Sequence, residues 1–429
     1  MILTRRSLIQ KAGLSAVTIP RAWASLALAA HAPARANSPP DPAALRALET
    51  DLRRYVDSGA RAGISWAVSH EGRLLSSGAY GFRDLAARAR LTPRSLFRIY
   101  SMTRAMTAVG GLALVERGAV AMSDPLARYL PEFTKMSVLR STADGSVATE
   151  PAARPILVRD LFTYTAGFGY AQDYPADLKI KSDDILGPHL STEEGIRRLA
   201  TLPLLHQPGA KWHYGWTGDV LGRLIEVVSG QRLDAYFAAT LLGPLGMRDS
   251  VFVTTPNRLS RIYGPAPAGD RGIVDVTAKV FTLGSWLSPG RMHSGGGGLL
   301  STSLDYLRFC EMLMGYGERA GVRVLRASTV AQMLTNQLTP EQGPLYWYQK
   351  DLPPETTRGQ GWGYGIGLRL APSAASPYSV VGEAAWGGLA GTGYFLHPRR
   401  RLSAVVMTQW FGPGGDDPTA TLRRGVYGA

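Results

Sequence analysis

Apolar positions recur at helical spacing directly after a polar turn, and the rest of the chain is best placed around that stretch. From Ser101 onward, Met102, Met106, Val109, Ala113 and Val115 predict a helix that opens at Ser101, following the turn Thr92-Pro93-Arg94. Gly118 is placed to end it. Gly110 and Gly111 inside it each cost about 1 kcal/mol relative to alanine, so close packing of another element is expected there.

The same reading gives a helix over Ala43–Asp57 from Leu45, Leu48, Leu52 and Val56. A hairpin follows, Gly63–His70 and Arg73–Tyr80, joined at Glu71-Gly72. Ser123–Pro131 begins a second unit, and Ile156–Gly167 reads as a third helix ending at glycine. Helical patterns continue at Glu193–Leu202, Gly218–Ser229, Leu233–Leu241 and Leu304–Met314, the last with Cys310 on its apolar face. Tyr263–Pro289 is too long for a simple connection and reads as a loop bordering a site. Gly295–Gly298 lacks the Lys-Ser/Thr of a phosphate loop and reads as a tight backbone passage. Strand patterns return at Tyr364–Leu370, Gly391–Leu396 and Leu402–Thr408. Strands at both ends with helices between predict an α/β (α+β) fold: one antiparallel sheet built from both termini, with a large helical insertion.

Composition narrows the classes. The 429 residues are 45% apolar and 19% charged, which fits neither disorder nor a coiled coil. No apolar run of the body is long enough to span a bilayer, so stable membrane insertion is not expected. Residues 1–36 carry Arg5-Arg6, a mildly apolar stretch and a small-x-small site at Ala34-Arg35-Ala36, like a twin-arginine export signal. The expected location is therefore periplasmic. Cleavage after Ala36 would remove Arg5, Arg6, Lys11, Arg21 and Arg35, taking the net charge from +14 to +14 − 5 = +9. Arginines are dispersed and Arg399-Arg400-Arg401 reads as a solvated turn, so nucleic acid is not an expected partner. His70, His189, His206, His213, His293 and His397 show no metal-ligand spacing, and no metal or cofactor is expected. The lone cysteine excludes an internal disulfide.

Ser101 is the candidate nucleophile. The first turn of a helix has unpaired amides and the positive end of the macrodipole, which favour an attacked oxygen. Arg104, three residues on, shares its face. Taken alone, Ser-x-x-Arg is a pattern that chance supplies in most chains of this length.

Several segments, in order, resemble the β-lactamase-related serine hydrolases, especially the carboxylesterases that share the class C β-lactamase fold. Phe97–Val109 resembles the Ser-x-x-Lys segment. Val158–Gly167 resembles Leu-Leu-Thr-His-Thr-Ser-Gly, and Pro208–Gly222 the Tyr-x-Asn segment, with Tyr214 in the tyrosine's place. Gly295–Leu307 resembles Gly-Gly-Gly-Leu-x-Ser-Thr-x-x-Asp-Tyr, and Trp386-Gly387-Gly388 occupies the place of Lys-Thr-Gly. Coverage runs from about residue 45 to about 410. The resemblance implies an α/β part at about 43–104 and 316–429 and a helical part at about 105–315, within a mature domain 37–429. It also implies a carboxylic ester substrate cleaved through an acyl-Ser101 intermediate.

Departures from that pattern shape the expected chemistry. Trp386 for lysine and Trp216 for asparagine remove groups that hold a β-lactam, and resemble the esterase branch. Tyr164 for histidine and Gly215 for serine are expected to affect packing only. Arg104 stands where the family has its lysine. Lysine, near pKa ~10.4, reaches neutrality by a shift of about 3 units, or ~4 kcal/mol, whereas arginine near ~13.8 needs about 7 units, or ~9 kcal/mol. Arg104 is therefore an electrostatic group and not a base. Its charge favours the phenolate of Tyr214, which becomes the expected general base. By resemblance, the backbone amides of Ser101 and Leu389 form the oxyanion hole, with Trp386, Gly387, Gly388, Leu389 and Trp216 lining the substrate.

Three alternatives stay open. Arg104 could hold Ser101 and Tyr214 in an unproductive pair, leaving a weak enzyme or a binding module. The substrate could instead be peptide-like, as in a D-amino-acid peptidase, amidase or β-lactamase. A Ser-His-Asp set with His213 and Asp219 is also conceivable, although no Gly-x-Ser-x-Gly elbow occurs. Tyr346-Trp347-Tyr348, with Trp286 and Trp362, is expected either to border an apolar acyl pocket or to pack in loops.

Overall fold

The computed structural model describes residues 38–428 except 142–146, 179, 181, 188, 268–271, 281–285, 288–291, 344–358 and 413–416. Contacts separate Met1–Ser38 from Pro39–Ala429, and the fold below is that of the second unit. The proposed export signal and Tyr346-Trp347-Tyr348 lie outside the described residues.

Eight strands form the main sheet: β1 Gly63–His70, β2 Arg73–Asp84, β3 Ala89–Arg90, β4 Gln360–Trp362, β5 Gly367–Arg369, β6 Ala384–Gly388, β7 Thr392–His397 and β8 Leu402–Met407. Their order is β4-β5-β6-β7-β8-β1-β2-β3, and every pairing is antiparallel. The join between the two ends of the chain is β1 against β8, with Trp66 opposite Val406. That is the sheet expected from the terminal strand patterns, with β3, β4 and β6 as additions; each is too short to carry a revealing alternation.

Period-two alternation sorts β1 onto two cores. Ile64, Trp66 and Val68 face helix α1 (Pro42–Asp57) and the final helix, while Ala67 faces the other core. Ser65 shares that second face, where its hydroxyl lies 2.7 Å from that of Ser303. The larger core gathers helices α2 (Thr103–Glu116), α3 (Val158–Thr163), α4 (Thr217–Ser229) and α5 (Ser303–Met314); helix α6 (Pro418–Tyr427) lies with α1 on the opposite face. Cys310 is buried on α5, where burial pushes its thiol up.

Helix boundaries differ in instructive places. Ser101 lies in a 3-10 turn, Tyr100–Met102, that feeds α2, instead of in its first α-helical turn. Helix α3 ends on Tyr164, in the left-handed conformation at φ 60°, and not on Gly167. Leu233–Phe237 passes into a π-helical turn, Ala238–Leu242. The close packing expected at Gly110 and Gly111 is present: a Cβ on Gly111 would sit 2.8 Å from the Phe162 ring.

Candidate active site

The turn that presents Ser101 is held from several sides. Strand pairing of Phe97-Arg98 with Leu300-Ser301 brings the chain in. Tyr100 then adopts φ 42°, a left-handed conformation that costs a non-glycine residue about 1 kcal/mol or more and persists only when its surroundings enforce it. Here the Tyr100 ring packs edge-on against Trp286 with centroids 5.4 Å apart. One residue beyond Ser101, the Met102 carbonyl accepts from the Tyr306 hydroxyl at 2.8 Å. Ser101 is left half-buried at the start of α2.

Arg104 points into the interior and is 2% exposed. Its Nη1 donates to Tyr164 Oη at 2.9 Å and to the Gly215 carbonyl at 3.1 Å, and its Nη2 donates to Tyr170 Oη. The guanidinium carbon stands 4.2 Å from the centroid of the Tyr214 ring, within cation–π range. Burial alone would lower the Arg104 pKa, but the phenols of Tyr164, Tyr170 and Tyr214 and the Asp219 carboxylate outweigh it and hold the guanidinium above its ordinary value. Burial pushes the Tyr164 and Tyr170 phenols up despite the cation. Tyr164 is thus a polar partner of Arg104, which corrects the expectation that it affects packing only. The Gly215 carbonyl has the same role, and a Cβ on Gly215 would meet the Phe168 carbonyl at 2.2 Å.

Tyr214 lies beside the guanidinium within an aromatic cluster of Tyr164, Trp212 and Trp362. Trp386 Nε1 donates to Tyr214 Oη at 3.0 Å. An indole N–H can only donate, so the tyrosine oxygen is the acceptor. Trp386 is carried by β6, whose end runs beside the Ser101 turn: a Cβ on Gly388 would stand 2.3 Å from the Ile99 carbonyl oxygen. Leu389 follows it, 38% exposed. Sheet, turn and loop therefore converge, bringing Ser101, Arg104, Tyr214, Trp386, Gly387, Gly388 and Leu389 into one region.

Other expected site residues have different surroundings. Trp216 is fully buried and edge-on to Tyr170, with centroids 5.7 Å apart. Trp362 and Trp286 are also buried, packed edge-on against Trp386 and Tyr100 respectively, so they support the site from behind. The His213–Asp219 pairing is not assembled. His213 Nε2 lies 3.1 Å from Asp173 Oδ2, while the Asp219 carboxylate accepts from the Ser294 hydroxyl and from Gly296 N. Tyr170 gave no signal in the sequence: it enters through a turn, Ala171–Asp173, whose Asp173 accepts the Tyr170 N–H at 2.7 Å. Among the described residues no group of three or more His, Cys, Asp or Glu is placed to hold a metal ion.

The beta-lactamase family model matches residues 48–429. The chain belongs to that family. It is 32% identical over 379 residues to the esterase EstB of Burkholderia gladioli, covering 84% of this chain and 89% of the relative. It is 27% identical over 396 residues to the lovastatin esterase of Penicillium rubens, covering 88% and 96%. Among solved structures, EstCE1, described as a hydrolase with promiscuous acyltransferase activity, superposes with a TM-score of 0.73 at 25% identity, covering 90% of this chain and 98% of the other. Fold and family are those the sequence motifs resemble, and the esterase and acyltransferase relatives support a hydrolase in general.

Proposed function

We propose that the protein is a carboxylesterase-type serine hydrolase in which Ser101 is the nucleophile, Tyr214 the general base and Arg104 a fixed cation. The observation that carries this reading is the double clamp on Tyr214: its oxygen accepts from Trp386 Nε1 at 3.0 Å while its ring lies 4.2 Å from the Arg104 guanidinium carbon. The first gives the tyrosine oxygen a fixed donor, and the second sets a permanent cation beside its ring, the surroundings a proton acceptor needs.

In the proposed cycle the Tyr214 phenolate takes the Ser101 hydroxyl proton as Oγ bonds to the ester carbonyl carbon. The carbonyl oxygen becomes the oxyanion facing the amides of Ser101 and Leu389. The ester C–O bond then breaks, and Tyr214 returns the proton to the leaving alkoxide. Water next attacks the acyl carbon, giving its proton to Tyr214, and the acid departs as Ser101 regains a proton. Every transfer runs between Ser101, Tyr214, substrate and water, so a permanently charged arginine suffices as the third group.

One observation favours a second reading, a weak enzyme or binding module. Three acceptors fix the guanidinium where the family places a lysine that can lose its proton. Turnover of p-nitrophenyl acetate, p-nitrophenyl butyrate and a chromogenic β-lactam by the native protein and by Ser101→Ala separates the readings. Ester cleavage that vanishes in the variant supports the esterase, preferential lactam cleavage the lactamase alternative, and no cleavage by folded protein the binding module. We also propose export through the twin-arginine signal, tested by the mass of the mature N-terminus.

A further inference from the structure

The Arg104 guanidinium is a buried cation that forms no ion pair with a carboxylate among the described residues; its three acceptors are two phenols and a carbonyl. Asp219 is the complementary case. Its carboxylate is 2% exposed, accepts from Ser294 Oγ and from Gly296 N at 3.2 Å, and has no cationic partner within 4.0 Å among the described residues. An isolated buried ion is strongly disfavoured, and two such ions in one core need each other.

Backbone geometry brings them together. Asp219 is in the first turn of α4 and Arg104 in the first turn of α2. Between them lie Gly218 and Gly296. A Cβ on Gly218 would sit 3.0 Å from Arg104 Nη1 and 3.0 Å from the Cα of Gly296, and a Cβ on Gly296 would sit 2.3 Å from Asp219 Oδ2. A side chain at either position would intrude between guanidinium and carboxylate. The Gly295–Gly298 run is thus a tight passage whose smallness lets two charges face each other across bare backbone.

We propose that Asp219 is a positioning residue, the buried counter-charge that balances Arg104 across the Gly218–Gly296 contact and sets the net charge felt by Tyr214. Asp219 touches no reacting atom in this scheme. It acts in two ways: through its field on Arg104, and through its place in the turn that follows Tyr214, where its N–H donates to the Trp216 carbonyl at 2.9 Å. The part that concerns catalysis rests on the esterase reading; the charge pairing does not. Among the described residues, the titratable groups around Tyr214 and Arg104 include Tyr164 after α3, Tyr170 in its turn, Asp219 on α4 and Tyr394 on β7, with His213 and its partner Asp173 alongside. Removing the negative charge at Asp219 leaves the Arg104 cation beside Tyr214 without its counter-charge.

The test is a double-mutant cycle with Asp219→Asn and Arg104→Met, read by urea denaturation and by the pH dependence of ester cleavage. Asp219→Asn alone should raise the unfolding equilibrium constant by about tenfold or more, and by clearly less once Arg104 is methionine. Equal effects in both backgrounds would overturn the pairing. In the active protein, Asp219→Asn should move the rising limb of kcat/KM to lower pH, whereas a purely structural loss would lower the rate without moving the limb. If neither protein cleaves esters, the esterase reading fails while the stability cycle still decides the charge pair. Should Asp219→Asn fail to fold, the same cycle with Asp219→Glu, which keeps the charge, should restore folding only if charge is what matters; failure of both overturns the proposal.

Discussion

Trp386 Nε1 donates a hydrogen bond to Tyr214 Oη over 3.0 Å, linking strand β6 of the main sheet to the loop that leads into helix α4. In the proposed cycle the acceptor is negatively charged when the bond matters most, and bonds to charged groups are worth roughly 1.5–3 kcal/mol. Trp386→Phe keeps an aromatic ring beside Tyr214 and Trp362 and removes the donor. Steady-state kinetics should give kcat/KM on a short p-nitrophenyl ester lower by about tenfold or more, with KM changed little. An unchanged kcat/KM would remove Trp386 from the chemistry and leave it as a wall of the site.

Arg104→Lys tests whether the permanent cation limits turnover. Lysine can lose its proton and serve beside Tyr214, so esterase turnover should rise. The same change removes donors to Tyr164, Tyr170 and Gly215, leaving buried phenols short of a partner at a cost of about 1–3 kcal/mol in stability. Turnover and urea midpoint should therefore move in opposite directions. A folded Arg104→Lys protein with no gain in rate would count against the family mechanism.

The pH dependence of stability has a definite sign. Burial, assisted by Arg400 and Arg399, lowers the His397 pKa from 6.5 to about 4. Its geometry is that of a neutral ring: Nε2 lies 3.1 Å from the Val381 carbonyl, a donor's position, and Nδ1 accepts from Arg400 N at 3.4 Å. Burial likewise lowers His206 to about 4, with His213 and Lys211 adding to the effect. An unfolded histidine takes a proton below about pH 6.5 while the folded one does not, so stability is held above that pH and falls as the pH drops toward 4. Each histidine contributes at most about 3 kcal/mol to that loss. Urea midpoints at pH 7, 5.5 and 4.5 should decline, and His397→Gln should flatten the decline. A flat native profile would contradict the assignment.

Much of this arrangement is legible in the amino-acid sequence. The apolar spacing after Ser101 located the helix, and terminal strand patterns gave the antiparallel sheet because Ile64, Trp66 and Val68 alternate with Ser65 and Ala67. Motif order led to the family and to Tyr214. What stayed hidden depends on contacts distant in sequence. Tyr170 reaches Arg104 from 66 residues away through a turn of no distinctive composition. Tyr164 was visible as a departure from the family's histidine, but its bond to Arg104 depends on how helix α3 ends. In the sequence Asp219 reads only as a possible partner of His213, because its facing of Arg104 depends on two glycines from separate segments.

The central claim is that Ser101 is an activated nucleophile beside a permanent cation. Its most direct test is intact mass spectrometry of mature protein treated with a fluorophosphonate, followed by peptide mapping, with Ser101→Ala and Tyr214→Phe in parallel. The expected result is a single adduct on Ser101, absent from Ser101→Ala and formed far more slowly in Tyr214→Phe. Folded native protein that takes up no label, or takes it up elsewhere than Ser101, would contradict the account.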